Sequence, residues 1–141
     1  MSNFSVGYQN IHGLHDSIGC KAGRLENELK NDIEIWSEVW GCECKIKFDD
    51  YDCEIIEPQK HISTKKGRKS GGLIILTKKT LKNNFKIAKK SNNFVWIEIS
   101  RNLIENALEN FFIVAAYVSD VSSTYYNEDI FEELNKDTRF L

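Results

Sequence analysis

The chain has one proline, one methionine and few cysteines. With only Pro58, collagen-like and proline-rich linker readings are excluded. No apolar run approaches the roughly 20 residues needed to cross a bilayer, so no membrane partner is expected. Met1-Ser2-Asn3-Phe4-Ser5 is not a basic stretch leading into an apolar one, so no secretion signal is expected. Cys20, Cys42, Cys44 and Cys53 form no Cys-x-x-Cys pair, and no His-x₃₋₅-His pair accompanies them. A structural zinc site is therefore not indicated. Cys42 and Cys44 are badly spaced for bonding to each other. The expectation is reduced thiols acting as small packing residues inside a cell, nuclear or cytoplasmic.

Against these absences stand 141 residues, 41% of them hydrophobic and 11% aromatic, enough for one packed domain and little more. The net charge of −2 hides a strong division along the chain. Residues 1–57 hold 5 Lys/Arg and 12 Asp/Glu, and residues 98–141 hold 3 and 9. Residues 58–97 hold 11 Lys/Arg and no acid at all. Such a segment is either an anion-facing surface or a solvated lysine-rich face that keeps the chain soluble.

Periodicity gives a strand-rich chain with two helices. Phe4 to Asn10 alternates as a strand. Lys21 to Leu29 places Ala22, Leu25 and Leu29 at helical spacing. Asp32 to Glu38 reads as a largely buried strand, and Cys53 to Glu57, Gly72 to Thr77 and Phe94 to Ile99 as further strands. Phe85 to Ala88 is a weaker strand, and Asn102 to Asn110 a turn or short helical connection. Phe111 to Tyr117 is apolar on both faces and is expected to be central. Tyr125 to Asn135 reads as a helix with Ile130, Phe131 and Leu134 on one side. The pattern is that of a mixed α/β (α+β) sandwich.

Four segments stand in a telling order: Gln9-Asn10-Ile11-His12-Gly13-Leu14, Asp32-Ile33-Glu34-Ile35-Trp36-Ser37-Glu38-Val39-Trp40, Gly67-Arg68-Lys69-Ser70-Gly71-Gly72-Leu73, and Val114-Ala115-Ala116-Tyr117 with Ser122 to Tyr126 behind it. Taken together, over residues 4–141, they resemble the endonuclease/exonuclease/phosphatase superfamily, and within it the apurinic-type endonuclease domain of non-LTR retrotransposons. The resemblance implies the N-terminal part of a four-layer α/β/β/α sandwich with mixed β-sheets. It also implies hydrolysis of a DNA phosphodiester with Mg²⁺ (or Mn²⁺), no small-molecule cofactor, and a reverse transcriptase domain downstream.

The same resemblance assigns roles to residues. Glu38 falls where the family has its metal-binding acid; a strand-end surface glutamate is the plain alternative. Asn10 matches an asparagine that orients the phosphate, or else it simply starts the turn toward Gly13. Tyr117 matches a tyrosine whose hydroxyl donates to a phosphoryl oxygen, or else it is a core residue. The family usually has proline soon after this tyrosine, where Ser119 and Asp120 stand here. Lys65, Lys66, Arg68, Lys69 and Ser70 lie in a segment that in such enzymes approaches nucleic acid, and Gly71-Gly72 permits tight turning. The spacing is not that of a P-loop.

The 141 residues contain neither the family's Gly-Asp-x-Asn motif nor its Ser-Asp-His motif. His15-Asp16 is the nearest imitation, in the wrong place. The expectation is thus an incomplete or inactive fragment, with the second sheet largely missing and one face of the first sheet bare. A non-catalytic nucleic-acid-binding remnant is the alternative function. A phosphoesterase of the same superfamily, acting on a lipid or inositol phosphate, is the third.

Overall fold

The computed structural model describes residues 4–16, 19–40, 47–56, 71–118 and 129–139. Among them run β1 (Val6–Asn10), β2 (His15–Asp16), β3 (Gly19–Cys20), α1 (Ala22–Glu26), β4 (Ile33–Ser37), β5 (Tyr51–Ile56), β6 (Leu73–Lys78), β7 (Phe85–Lys90), β8 (Phe94–Ile99), β9 (Phe111–Ala116) and α2 (Asp129–Thr138). A 3₁₀ turn over Lys79–Asn84 joins β6 to β7, and another spans Arg101–Leu103.

The mixed α+β class is as expected. One sheet has the order β1-β4-β6-β5, with β1 parallel to β4 and the other pairs antiparallel. The other has the order β7-β8-β9 and is antiparallel. β2 and β3 form a small separate hairpin.

Alternation along β4 explains the packing. Its five residues are all buried. Ile33 and Ile35 face the second sheet, in a cluster with Ile56, Leu73, Ile75, Val95, Ile97, Ile99 and Ala115. Trp36 faces the other way, with Ile11, Leu14, Ala22, Leu25, Val39, Phe48, Tyr51, Ile74 and Leu76. Both faces of the first sheet are therefore covered. The expectation of a largely missing second sheet and a bare face is overturned. β7, β8 and β9 supply that cover, because Val95, Ile97 and Ile99 alternate onto one face of β8.

On the far side of the second sheet, Ile130 of α2 packs with Phe94 and Trp96, and Phe112, Val118 and Leu134 complete the contact. Phe131 is 55% exposed, so the helix's inner stripe is Ile130, Leu134 and Asp137, not Ile130, Phe131 and Leu134. Asp137 is buried there and accepts hydrogen bonds from the Lys89 ammonium and from Trp96 Nε1 at 3.2 Å. A bulge between Ile87 and Lys89 makes this possible. It sets Lys89 opposite Trp96, so its side chain leaves on the helix-bearing face.

Two further corrections concern local readings. β9 is an edge of the three-stranded sheet among the described residues, and β8 is its centre. Continuous apolarity in β9 comes from packing on both sides of that sheet: Ile113 lies toward the sheet interface and Phe112 toward α2. Cys20 is disulfide-bonded and exposed, against the expectation of reduced packing thiols. Short-range spacing carries no signal of a bond made across a fold. Cys53 does pack as expected, against the Trp36 cluster. Cys42 and Cys44 lie outside the described residues, as does Tyr125 at the start of the expected second helix. No helix among the described residues is long and apolar enough to cross a membrane.

Tyr51 ties β5 to the turn before β4: its hydroxyl donates to Asn31 O at 2.8 Å. Burial pushes its phenol above the ordinary value, and the Glu34, Asp32 and Asp50 carboxylates push the same way. Between pH of about 10 and the higher native value, the unfolded chain has lost this proton and the native one has not. Stability attributable to Tyr51 is thus full below about pH 10 and falls as pH rises through that window. Tyr51→Phe should cost about 1 kcal/mol near neutrality through the lost hydrogen bond. The Tm gap between wild type and Tyr51→Phe should then narrow above pH 10, read by circular dichroism melts across the alkaline range. For the core, Ile97→Ala should cost about 2–5 kcal/mol in urea unfolding, since Ile97 is wholly buried between the sheets.

Candidate functional site

β1 and β4 run parallel in register, with Asn10 opposite Ser37, so both strands finish at one end of the first sheet. β6 runs against β4, which brings Gly71 and Gly72, just before Leu73, to that same end. β9 also finishes there, and Tyr117 follows it directly. The three residues singled out for the chemistry, Asn10, Glu38 and Tyr117, thereby share one edge of the sandwich.

Glu38 and Tyr117 touch. The Tyr117 hydroxyl donates to Glu38 Oε1, across 79 residues of sequence. The Trp40 indole N–H donates to Glu38 Oε2. Glu38 is half-buried and has a φ of 56°. It is therefore not an ordinary surface glutamate ending a strand. A left-handed backbone at a non-glycine residue costs on the order of 1–3 kcal/mol and persists only where the surroundings impose it. Trp40 at 60° and His12 at 48° are strained in the same way, and all three belong to this edge.

Two glycines make room for the aromatic rings. A Cβ on Gly13 would lie 2.5 Å from Trp40 Cε3, and one on Gly71 would lie 2.7 Å from Tyr117 Cδ1. Their φ values of 89° and 76° also suit glycine. Backbone bonds lock the pieces together: Gly13 N donates to Glu38 O at 2.7 Å, and Trp40 N donates to Gly71 O at 3.0 Å. Tyr117 N donates to Asn93 O at 2.8 Å, while its ring borders the cluster between the sheets. Tyr117 is thus a half-buried packing residue with its hydroxyl on the site.

Asn10 behaves differently. Its side-chain Oδ1 accepts from His12 N at 3.1 Å, which is the turn-forming role, and it is exposed beside the strand that carries Glu38. The neighbouring Tyr8 hydroxyl pairs with Ser37 Oγ at 2.6 Å, which fixes β1 against β4 just before the site.

Mg²⁺ takes oxygen ligands and is commonly held by one or two carboxylates, with water and phosphate completing the shell. Glu38 supplies one carboxylate, and each of its oxygens keeps a second lone pair beside the hydrogen bond it accepts. That donor set suits a cation held by a single protein carboxylate. No cluster of three or more His, Cys, Asp or Glu exists among the described residues. The site also lies apart from a cavity of about 180 Å³ on the opposite flank, bordered by Glu54 of β5 and Lys86 of β7.

The basic segment divides in two. Lys65, Lys66, Arg68, Lys69 and Ser70 lie outside the described residues, as does Lys60. Of the remainder, Lys78 pairs with Asp32 at 3.3 Å, Lys90 with Glu54 at 2.6 Å, and Lys89 with Asp137. Lys86 stands opposite Glu98 in the β7–β8 register. Three of the six described lysines of this segment thus pair with carboxylates from the acidic parts of the chain. Trp40 and His12 carry no assignment from sequence reasoning, and Gly13 only that of a turn. The signal for Trp40 was its place two residues after Glu38, but nothing in the spacing says that the backbone turns left-handed and folds the indole back.

Comparison with protein-family models, curated proteins and solved structures gives no match to this chain.

The glycine seats yield a direct expectation. Gly71→Ala meets both a strained φ and the Tyr117 ring, so it should destabilise by more than about 1 kcal/mol. Gly23→Ala in α1 has open space around it and should be neutral to stabilising. Paired urea titrations check the contrast, and equal effects at the two positions would sink it.

Proposed function

We propose that residues 4–141 form the N-terminal part of an endonuclease/exonuclease/phosphatase-type domain, of the kind found in retrotransposon endonucleases, built to act on DNA phosphodiesters. The observation that carries the reading is the Glu38–Tyr117 contact. Two residues picked from separate motifs, for complementary roles in one reaction, share a hydrogen bond on a strained edge. The layering supports the same reading: α1, the four-stranded sheet, the three-stranded sheet and α2 succeed one another through three apolar clusters. In this reading they are part of a four-layer α/β/β/α sandwich.

In the proposed chemistry Glu38 holds Mg²⁺ (or Mn²⁺) together with water, and the cation supplies Lewis acidity toward a phosphoryl oxygen. Tyr117 donates its hydroxyl proton in a hydrogen bond to the phosphoryl group as negative charge builds. Asn10 borders the same edge and orients the phosphate through its amide. Lys65, Lys66, Arg68, Lys69 and Ser70 contact the backbone phosphates, which gives salt-dependent affinity with little sequence preference. A group that activates the attacking water is missing from this set, consistent with the absence of Gly-Asp-x-Asn and Ser-Asp-His from the 141 residues. A reverse transcriptase frame downstream in the parent gene belongs to the same reading, with action inside the cell.

The purified 141-residue chain should bind duplex DNA with an affinity that falls steeply with salt, and should nick supercoiled plasmid negligibly with Mg²⁺ or Mn²⁺. Charge reversal at Lys65, Lys66, Arg68 and Lys69 should weaken binding by 10-fold or more at about 50–100 mM salt. Robust nicking abolished by Glu38→Ala would overturn the half-site; absence of binding at low salt would overturn the DNA reading.

A further inference from the structure

Trp40 lies two residues after Glu38, and both have left-handed backbone conformations, with φ values of 60° and 56°. This double turn is what lets a side chain so close in sequence fold back onto the carboxylate. The indole N–H then donates to Glu38 Oε2, while the Tyr117 hydroxyl takes Oε1. The turn is closed from both sides, by Gly13 N on Glu38 O at 2.7 Å and by Trp40 N on Gly71 O at 3.0 Å. The indole ring lies over Gly13, where a Cβ would come within 2.5 Å of it. The His12 ring meets the same indole edge-on, with centroids 6.4 Å apart.

The two donors on Glu38 differ in kind. An indole N–H only donates, does not ionise in the working range, and cannot rotate independently of its ring. A phenol hydroxyl rotates, accepts as well as donates, and is free to change partners. In the proposed reaction Tyr117 has a second task at the phosphate, whereas Trp40 has none. The fixed donor on Glu38 is therefore the indole.

We propose that Trp40 is the positioning residue of the Glu38 carboxylate: seated on Gly13, its indole N–H holds Oε2 and presents the carboxylate in one orientation to a divalent cation. This deepens the reading of Glu38 as a metal ligand and rests on it. Carboxylates that ligate metals are themselves hydrogen-bonded, and loss of such an outer partner typically weakens metal affinity by about 10–100-fold.

The test uses the full 141-residue chain and Mn²⁺ alone as probe, with free Mn²⁺ counted by electron paramagnetic resonance. Wild type should bind Mn²⁺ in a manner abolished by Glu38→Gln. Trp40→Phe keeps a ring over Gly13, removes the N–H, and should weaken Mn²⁺ binding by about 10-fold or more. Should Trp40→Phe also lower Tm, 3-benzothienylalanine incorporated at position 40 replaces the N–H by sulfur in a ring of nearly the same shape. It should weaken Mn²⁺ binding as Trp40→Phe does, with Tm held. A merely structural role would leave Mn²⁺ affinity unmoved in that variant. In ¹H–¹⁵N spectra of wild type against Glu38→Gln, the indole N–H resonance of Trp40 should shift. Unchanged Mn²⁺ affinity in both position-40 variants, with Glu38→Gln still abolishing binding, would overturn the positioning role and leave Glu38 as a ligand. No Glu38-dependent binding in wild type would overturn both. An indole resonance indifferent to Glu38→Gln would show that the hydrogen bond does not exist and end the inference.

Discussion

Ile33, Ile35 and Ile75 of one sheet lie against Val95, Ile97 and Ile99 of the other, and the site depends on that contact. Glu38 directly follows a strand of the first sheet, and Tyr117 directly follows a strand of the second. No local force joins residues 79 apart in sequence; face-to-face packing does. Burial of these β-branched side chains is non-directional, so it brings the sheets together without fixing a hydrogen bond at their edge. The last step belongs to geometry at the rim. Gly71 lets the Tyr117 ring approach closely, and the hydroxyl then falls on the carboxylate.

Strain is concentrated where that packing ends. His12, Glu38 and Trp40 hold left-handed conformations within one small region, and backbone bonds from Gly13 and to Gly71 tie the region shut. Strain of this kind needs a rigid surround. The buried Trp36 cluster on one face of β4 and the sheet interface on the other provide it. The strained edge and the core are continuous, since Ile11, Leu14 and Val39 beside the left-handed residues belong to the buried Trp36 cluster.

Much of the framework was legible in the sequence because alternation and burial have a period. Periodicity marks Phe94–Ile99 with its own bounds, and β1, β4, β5 and β6 within a residue or two. For β7 it stops short at Ala88 because the bulge there breaks the alternation that marks a strand. The β2–β3 hairpin gives no signal because strands of two residues have no period to detect. Apolarity on both faces of β9 suggests a central strand because it looks the same at a centre and at an edge packed on both sides. The disulfide at Cys20 was invisible for another reason: which cysteines meet is a property of the fold, not of spacing. At the site, the motif order picked out Glu38 and Tyr117, which do meet, while Trp40 escaped because a side chain folding back over two residues requires a backbone that no composition announces.

Charge teaches the complementary lesson. Along the chain, acid and base are separated into long blocks, and a forty-residue basic block suggests a surface waiting for an anion. Among the described residues, the blocks meet at three ion pairs. Lys78, Lys89 and Lys90 come from the basic block, and Asp32, Asp137 and Glu54 from the acidic ones that flank it. Exposed pairs of this sort add little stability, but they do cancel field at the surface. The Lys89 pair adds something more, since Asp137 is buried and the Trp96 indole shares it, fastening α2 to the second sheet. A linear count of charge therefore overstates the attraction for a polyanion by the part the fold neutralises. In the proposed reading, contact with nucleic acid falls to Lys65, Lys66, Arg68 and Lys69, whose segment leads in sequence to Gly71 and so to the edge where Glu38 and Tyr117 meet.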